Sequence, residues 1–151
     1  MEWLKKLRGT IVGLDTAPLI YFIENHPKYA PLVRPFFEAM ERGEFQVVTS
    51  ALTLTEVLVH PLRRGDKTLA RKYSRILRQA PNLQMLPVSW EIAEEAARLR
   101  AIEGLKTPDA IQLATARAGD ASSFLTNDTG LRAPAGLRLI VLESLQASPL
   151  S

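Results

Sequence analysis

Five short apolar runs, separated mostly by helical stretches, constrain the fold of this chain more than any other feature. The runs are Thr10–Leu14, Phe45–Thr49, Leu83–Val88, Ser122–Thr126 and Arg138–Leu142. They are rich in Val, Ile and Leu and show little alternation between apolar and polar residues, which is typical of strands buried on both faces. Strands that alternate with helices predict a mostly parallel sheet with helices on both faces.

The intervening stretches carry the capping residues, prolines and glycines that bound helices. We predict helices from Thr16 to about Glu24, Pro31–Arg42, Thr53–Arg63, from Asp66 to Gln79, from Ser89 to Glu103 and from Thr107 to Gly119. Thr16, Asp66, Ser89 and Thr107 are expected to be N-caps, with Pro108 at the first helical position. The length of 151 residues and an apolar content of 46% fit one packed domain over residues 1–151.

The composition excludes several kinds of site. Cysteine is absent, which rules out disulfides, cysteine zinc sites and thiol nucleophiles, and only two histidines are present. The longest apolar run, Ala17–Ile23, is far shorter than the ~20 residues of a membrane span, and the first residues lack the apolar core of a signal peptide. We therefore expect a cytoplasmic protein without a membrane partner. A net charge of +3 allows a polyanionic partner without requiring one.

Four carboxylates follow the predicted strands. Asp15 comes directly after the first strand, Glu56 lies in the helix after the second, Asp109 opens the last long helix, and Asp128 comes two residues after Thr126. The carboxyl ends of parallel strands meet at one edge of the sheet, where ligands of such folds bind. We therefore expect the four acids to share that edge.

Each acid also has a purely structural interpretation. Asp15 fits a helix cap, Thr53 and Glu56 fit a capping box, Asp109 complements a helix macrodipole, and Asn127–Gly130 is typical turn sequence.

The four acids taken together are harder to explain structurally. Two carboxylates 4 Å apart repel by ~4 kcal/mol at an effective dielectric of 20, so bound protons or a cation must offset the charge. Oxygen ligands without His or Cys favour Mg²⁺ or Mn²⁺, which supports phosphodiester hydrolysis.

Four stretches carry a family resemblance, in the same order as in that family. They are Ile11–Tyr21, Thr49–Leu58, Leu105–Ala116 and Phe124–Asp128, each containing one of the four acids. The chain resembles PIN-domain ribonucleases, in particular the VapC toxins of VapBC toxin–antitoxin systems. The resemblance implies an α/β/α sandwich with a five-stranded sheet ordered 3-2-1-4-5. It also implies an RNA-cleaving, metal-dependent enzyme, a homodimer and a small antitoxin partner.

The resemblance also implies roles for individual residues. Asp15 and Asp109 would hold the principal metal ion, Glu56 would bind it through water or position the nucleophile, and Asp128 would complete a second, weaker site. Four small polar residues accompany the acids as supporting candidates: Thr16, Ser50, Thr126 and Asn127.

Basic residues are concentrated between positions 63 and 78. Seven of the nineteen lie there: Arg63, Arg64, Lys67, Arg71, Lys72, Arg75 and Arg78. Lys67, Arg71, Arg75 and Arg78 have the spacing of one helix face. Three interpretations stay open: a solvated face, a contact with the RNA backbone, and a contact with an acidic partner peptide.

Two other functions compete with the ribonuclease. A phosphoacceptor domain would use Asp15 as the acceptor and Lys106 as the switch lysine. Domains of that class, however, have a pair of further acids near the first strand, where Asp15 stands alone. A PIN-like module that binds RNA or a partner without cutting is the alternative outside enzymes.

Overall fold

The strands form one five-stranded sheet in which every pair is parallel. The computed structural model describes residues 1–145, and its strands are β1 Ile11–Leu14, β2 Gln46–Ser50, β3 Leu83–Leu86, β4 Ser123–Thr126 and β5 Arg138–Val141. Their order across the sheet is β3-β2-β1-β4-β5. The predicted fold class and strand order are therefore confirmed, and each strand lies within two residues of its predicted bounds.

Six longer helices correspond to the six predicted ones, and two single-turn helices were not predicted. In the described part of the chain the helices are α1 Glu2–Lys5, α2 Thr16–Ile23, α3 Ala30–Glu41, α4 Ala51–Arg64, α5 Lys67–Gln79, α6 Trp90–Glu103, α7 Thr107–Ala118 and α8 Leu142–Leu145. A four-residue helix is too short to show a 3.6-residue periodicity, so α1 and α8 leave no signal in the sequence. No helix within residues 1–145 is long and apolar enough to cross a membrane.

Two helices, α2 and α4, take their caps from the end of the preceding strand and not from the threonines that the sequence suggested. Asp15 caps α2 by accepting a hydrogen bond from the Thr16 amide, so Thr16 is not the cap. Ser50 caps α4 by accepting from the Leu52 amide, which places Thr53 inside the helix. The predicted capping box beginning at Thr53 is therefore wrong.

The caps of the other helices are partly as predicted. Asp66 and Ser89 cap α5 and α6 through their side chains, as expected. For α7 the cap position is Lys106, without a side-chain hydrogen bond, and Thr107 is already helical. Pro108 therefore occupies the second helical position, which it tolerates because amides of the first turn need no partner within the helix.

The core divides into two clusters, one on each face of the sheet. Val12 and Leu14 of β1 and Leu125 of β4 point to the face covered by α2, α3, α4 and α5. Phe124 of β4 points to the opposite face and packs with α6 and α7. The chain is therefore a three-layer α/β/α sandwich, as predicted. The expected burial on both faces holds for β1, β2 and β4, whereas β3 and β5 are only partly buried because they lie at the edges of the sheet.

Gly13 lets α7 approach the centre of the sheet. A Cβ atom at this position would lie 2.6 Å from Ala116 Cβ and 2.8 Å from Phe124 Cδ1, well inside ordinary van der Waals contact. The absence of a side chain at Gly13 therefore sets the distance between the sheet and α7, the helix that carries Asp109.

Candidate active site

Asp15 is fixed by the two central strands. Its amide donates to the Leu125 carbonyl of β4 at 2.9 Å. Its carboxylate accepts from the Thr16 amide at 2.8 Å on Oδ1 and from the Thr126 hydroxyl at 2.7 Å on Oδ2. Asp15 is thus both the cap of α2 and an acid held at the carboxyl edge of the sheet.

The environment of Asp15 disfavours its negative charge. Burial raises the pKa of the Asp15 carboxyl above its ordinary value, and the hydrogen bonds from Thr126 and Thr16 offset part of that rise. The negative charges of Asp109 and Glu56 raise this pKa further. Asp15, Asp109 and Glu56 are therefore close enough to repel one another.

Glu56 bonds across to α2 rather than back to the start of its own helix. Its Oε1 accepts from the Thr16 hydroxyl at 2.6 Å. Within residues 1–145, its Oε2 accepts no hydrogen bond. The capping-box interpretation of Glu56 is wrong, because the helix begins at Ala51 and Ser50 supplies the cap.

A buried polar cluster, which the sequence analysis missed, surrounds the Thr16–Glu56 bond. The Thr53 hydroxyl lies 3.0 Å from the Thr16 hydroxyl. Gln112 Nε2 lies 2.8 Å from Thr53 Oγ1, 3.2 Å from Thr16 Oγ1 and 3.4 Å from Glu56 Oε1. A signal exists in the sequence: Thr53 comes three residues before Glu56, and Gln112 three after Asp109, so each shares a helix face with an acid.

Asp109 lies in the first turn of α7, as predicted. It is half-buried, and its carboxylate makes no hydrogen bond within residues 1–145. Burial raises the pKa of Asp109, the charges of Asp128 and Glu56 add to the rise, and the Lys106 ammonium opposes it. The structural role of Asp109 is therefore limited to its place near the helix N-terminus.

Asp128 is exposed and connects to Asp15 through one threonine. The Thr126 hydroxyl that donates to Asp15 accepts from the Asp128 amide at 3.0 Å. Asp128 Oδ1 accepts from the Gly130 amide at 2.9 Å, so the predicted turn chemistry is also present. Thr126 thus fixes the relation between the first and the fourth acid.

The remaining supporting residues act locally. Ser50 is fully buried and caps α4; within the described residues its hydroxyl bonds to none of the four acids. The Asn127 amide donates to the Tyr21 hydroxyl at 3.2 Å, and its Oδ1 accepts from the Glu143 amide at 2.9 Å. Asn127 therefore ties the end of β4 to α2 and α8.

The four acids influence one another's charge, although they do not form a compact cluster. No three acidic or histidine side chains within residues 1–145 lie close enough together to make a metal site as they stand. The electrostatic coupling nevertheless links Asp15 to Asp109 and Glu56, and Asp109 to Asp128 and Glu56. The donor set is of carboxylate oxygens, which fits a hard divalent cation.

The basic residues between positions 63 and 78 form an exposed surface, which we term the basic surface. Within residues 1–145 none of the seven forms an ion pair. Arg71, Arg75 and Arg78 line a surface cavity of about 290 Å³ together with Ser74 and Gln79. Tyr73, on the buried side of α5, donates a hydrogen bond to Glu24 at the end of α2. The basic surface is thus anchored to the helix that Asp15 caps.

A larger apolar cavity lies away from the four acids. It measures about 490 Å³ and lies between the end of β3, the start of α6 and the end of α7, where Leu86, Ile92 and Ala114 line it. None of the four acids lines it.

The chain is thus an α/β/α sandwich with an all-parallel sheet. Four acids whose charges influence one another lie at the carboxyl edge of that sheet. The family model of the PIN domain matches residues 12–137, which include all four acids. The chain belongs to the PIN domain family.

Solved structures share this fold. VapBC2 from Rickettsia felis, bound to a DNA fragment from its promoter, has a TM-score of 0.67 at 20% identity and covers 87% of this chain and 98% of its own. A toxin–antitoxin complex from Klebsiella pneumoniae has a TM-score of 0.63 at 25% identity, with 85% and 95% covered. VapC20 from Mycobacterium tuberculosis, a sarcin-ricin loop cleaving toxin, has a TM-score of 0.65 at 17% identity, with 80% and 92% covered.

The resemblance to VapC toxins is thereby confirmed at the level of fold. Among curated protein sequences, none matches the chain significantly.

Proposed function

We propose that the chain is a metal-dependent endoribonuclease and the toxin of a toxin–antitoxin pair. The observation that carries this proposal is that acids from separate elements meet at the carboxyl edge: burial raises the pKa values of Asp15 and Asp109, and the charges of neighbouring acids raise them further. Such charges destabilise a fold unless protons or a cation offset them, and a divalent cation is the ligand that carboxylate oxygens favour.

Asp15 and Asp109 would hold the principal Mg²⁺ or Mn²⁺ ion, with Glu56 acting through water and Asp128 completing a weaker site. A divalent cation bound there lowers the pKa of a bound water and neutralises charge on the leaving oxygen. Thr126 and Thr16 orient the carboxylates of Asp15 and Glu56 by hydrogen bonds of 2.7 and 2.6 Å. The loosely bonded Asp109 and Asp128 are free to adjust towards a ligand.

The basic surface supports RNA as the substrate. The α2 helix from Thr16 to Ile23 is about 12 Å long at 1.5 Å per residue and joins the acidic edge to the contact with α5. Unpaired cations on the basic surface would bind phosphates of the RNA backbone, largely without regard to sequence. With an RNA substrate we also propose a cytoplasmic location.

An antitoxin and a homodimer are the partners that we propose. Similarity to the toxin–antitoxin complex from Klebsiella pneumoniae supports the antitoxin. The homodimer rests on family resemblance alone.

One experiment tests the activity. A defined RNA pool is incubated with the protein and Mg²⁺ or Mn²⁺, with and without EDTA, and the products are mapped at their ends. We expect cuts that need the metal and that disappear in Asp15→Asn and Asp109→Asn, while both variants stay folded. The matched control is Asp120→Asn, an exposed acid at the far end of α7.

Two results would contradict the assignment. Cleavage by Asp15→Asn or Asp109→Asn at the wild-type rate would remove the acids from the reaction. RNA binding without any cleavage would favour the second candidate, a non-catalytic binding module, for which the basic surface is the supporting observation.

A further inference from the structure

Gln112 is a buried amide in the apolar half of α7. It is only 4% exposed, and its Nε2 lies within 3.4 Å of hydroxyl or carboxylate oxygens on α2 and α4. Packing alone does not call for an amide here, since a buried amide is costly unless its donors are satisfied. The position three residues after Asp109 places it beside the acidic edge.

The protons in this cluster have a fixed order. Thr16 has one hydroxyl proton, and it goes to Glu56 Oε1 at 2.6 Å. The Thr53 hydroxyl must therefore be the donor in its 3.0 Å bond with Thr16. The Thr53 oxygen in turn accepts from Gln112 at 2.8 Å. The chain of donation runs from Gln112 through Thr53 and Thr16 to Glu56.

This order also fixes which way the amide of Gln112 faces. Turning the amide over would place its carbonyl oxygen against Glu56 Oε1, so that two acceptors would meet without a proton. In the observed orientation the second N–H of Gln112 faces Thr16 Oγ1 at 3.2 Å. One carboxylate oxygen of Glu56 is thus held, and within residues 1–145 the other accepts no hydrogen bond.

We propose that Gln112 is a positioning residue, which holds Glu56 through Thr53 and Thr16 and leaves Glu56 Oε2 free for the reaction. The role in the reaction rests on the proposed function; the contact itself does not. Gln112 and Thr53 touch neither RNA nor a metal ion and act only through Glu56. Because three helices contribute to it, this chain of hydrogen bonds also holds α2, α4 and α7 in position relative to one another at the site.

The contact is tested without activity, by the side-chain amide resonances of ¹⁵N-labelled protein. The Gln112 pair is assigned by its loss in Gln112→Met. We expect Thr53→Val, which removes the hydroxyl but keeps the shape, to shift this pair, whereas the exposed Gln84 pair stays in place. A Gln112 pair that Thr53→Val leaves unmoved would overturn the chain of donation.

The role is tested by the kinetics of RNA cleavage. We expect Gln112→Met and Thr53→Val each to lower kcat by about 10–100-fold, with KM for RNA unchanged, as for other residues that orient a ligand. Thr53→Ser keeps the hydroxyl and should keep the activity, as should the control Gln84→Met. The double variant should lose no more than one single variant, since both act in one chain.

The outcomes separate the two proposals. If wild type cuts RNA and Gln112→Met cuts it equally fast, the positioning role fails and the proposed function stands. If wild type cuts no RNA with Mg²⁺ or Mn²⁺, the proposed function fails and takes the role with it. If Gln112→Met does not fold, the Thr53→Val and Thr53→Ser pair decides the role on its own.

Discussion

Replacing Gly13 by alanine tests whether the contact between the sheet and α7 sets the geometry of the site. The added Cβ would lie 2.6 Å from Ala116 Cβ and 2.8 Å from Phe124 Cδ1. Carbon atoms prefer separations of ~3.5–4.0 Å, so both α7, which carries Ala116, and the Phe124 ring must move by about 1 Å. Overpacking of this kind costs about 1–3 kcal/mol.

The expected result is a lower melting temperature together with a loss of cleavage. At about 2–4 °C per kcal/mol for a chain of this size, the melting temperature should fall by about 2–12 °C. Asp109 lies on the helix that is displaced, and a misplacement of ~1 Å in an active site can cost ~10²-fold in rate. Thermal melts followed by circular dichroism and a cleavage assay measure the two effects.

The stability control for this variant is Gly130→Ala. Its Cβ would meet only Asp128 Oδ1, at an ordinary 3.6 Å, so its melting temperature should change little. The double variant Gly13→Ala/Ala116→Gly should be less destabilised than the sum of its single changes, because they share one contact. A Gly13→Ala protein that melts and cuts like wild type would refute the argument from close packing.

The remaining predictions concern charge. In EDTA, Asp109→Asn should melt at a higher temperature than wild type, because it removes a carboxylate that the other acids repel. The gain in the free energy of unfolding is reduced by ~0.3–1 kcal/mol, because asparagine interacts more weakly with the helix dipole. In millimolar Mn²⁺ only wild type should gain stability, by ~2.7 kcal/mol at a hundredfold excess over Kd; equal gains in both proteins would refute the metal site. The pKa of Asp109 is raised in the folded state, so folding binds protons at this carboxyl. At neutral pH the ionised carboxylate therefore lowers the free energy of unfolding, and this loss is regained as pH falls towards ~4. The advantage of Asp109→Asn in denaturant melts with EDTA should therefore shrink between pH 7 and 4, and a constant advantage would contradict this sign. Changing Lys67, Arg71 and Arg75 together to Gln should flatten the salt dependence of RNA binding by up to ~0.7 per lost phosphate contact, and an unchanged slope would leave the basic surface as solvated residues.

The sequence predicts the sheet well because its strands have one explanation only. Runs such as Phe45–Thr49, without alternation and between helix signals, fit a strand buried on both faces and little else. The starts of α2 and α4 were less predictable, because two capping residues compete at each. Asp15 and Ser50 win over Thr16 and Thr53 because the strand ends there, which is decided by pairing in the sheet.

Part of the candidate site was likewise predictable from the sequence, and part was not. Four acids at one edge follow from the parallel topology, since Asp15 and Asp128 lie just after strands, and Glu56 and Asp109 lie in the N-terminal halves of helices that run from that edge. Their catalytic roles stay a prediction. The contact between Gln112 and Thr53 was not predictable, because it joins residues 59 positions apart whose partners are known only once α4 and α7 pack together.

The bond between Thr126 and Asp15 spans 111 residues, and this separation governs when the site can exist during synthesis. β1 leaves the ribosome long before its partner β4, and pairings across such long loops form slowly. A nascent chain that stops before residue 123 has neither the β1–β4 pair nor the hydroxyl that holds Asp15. The hydrolytic activity that we propose therefore cannot arise before β4 has been made, however early the four residues of β1 are available.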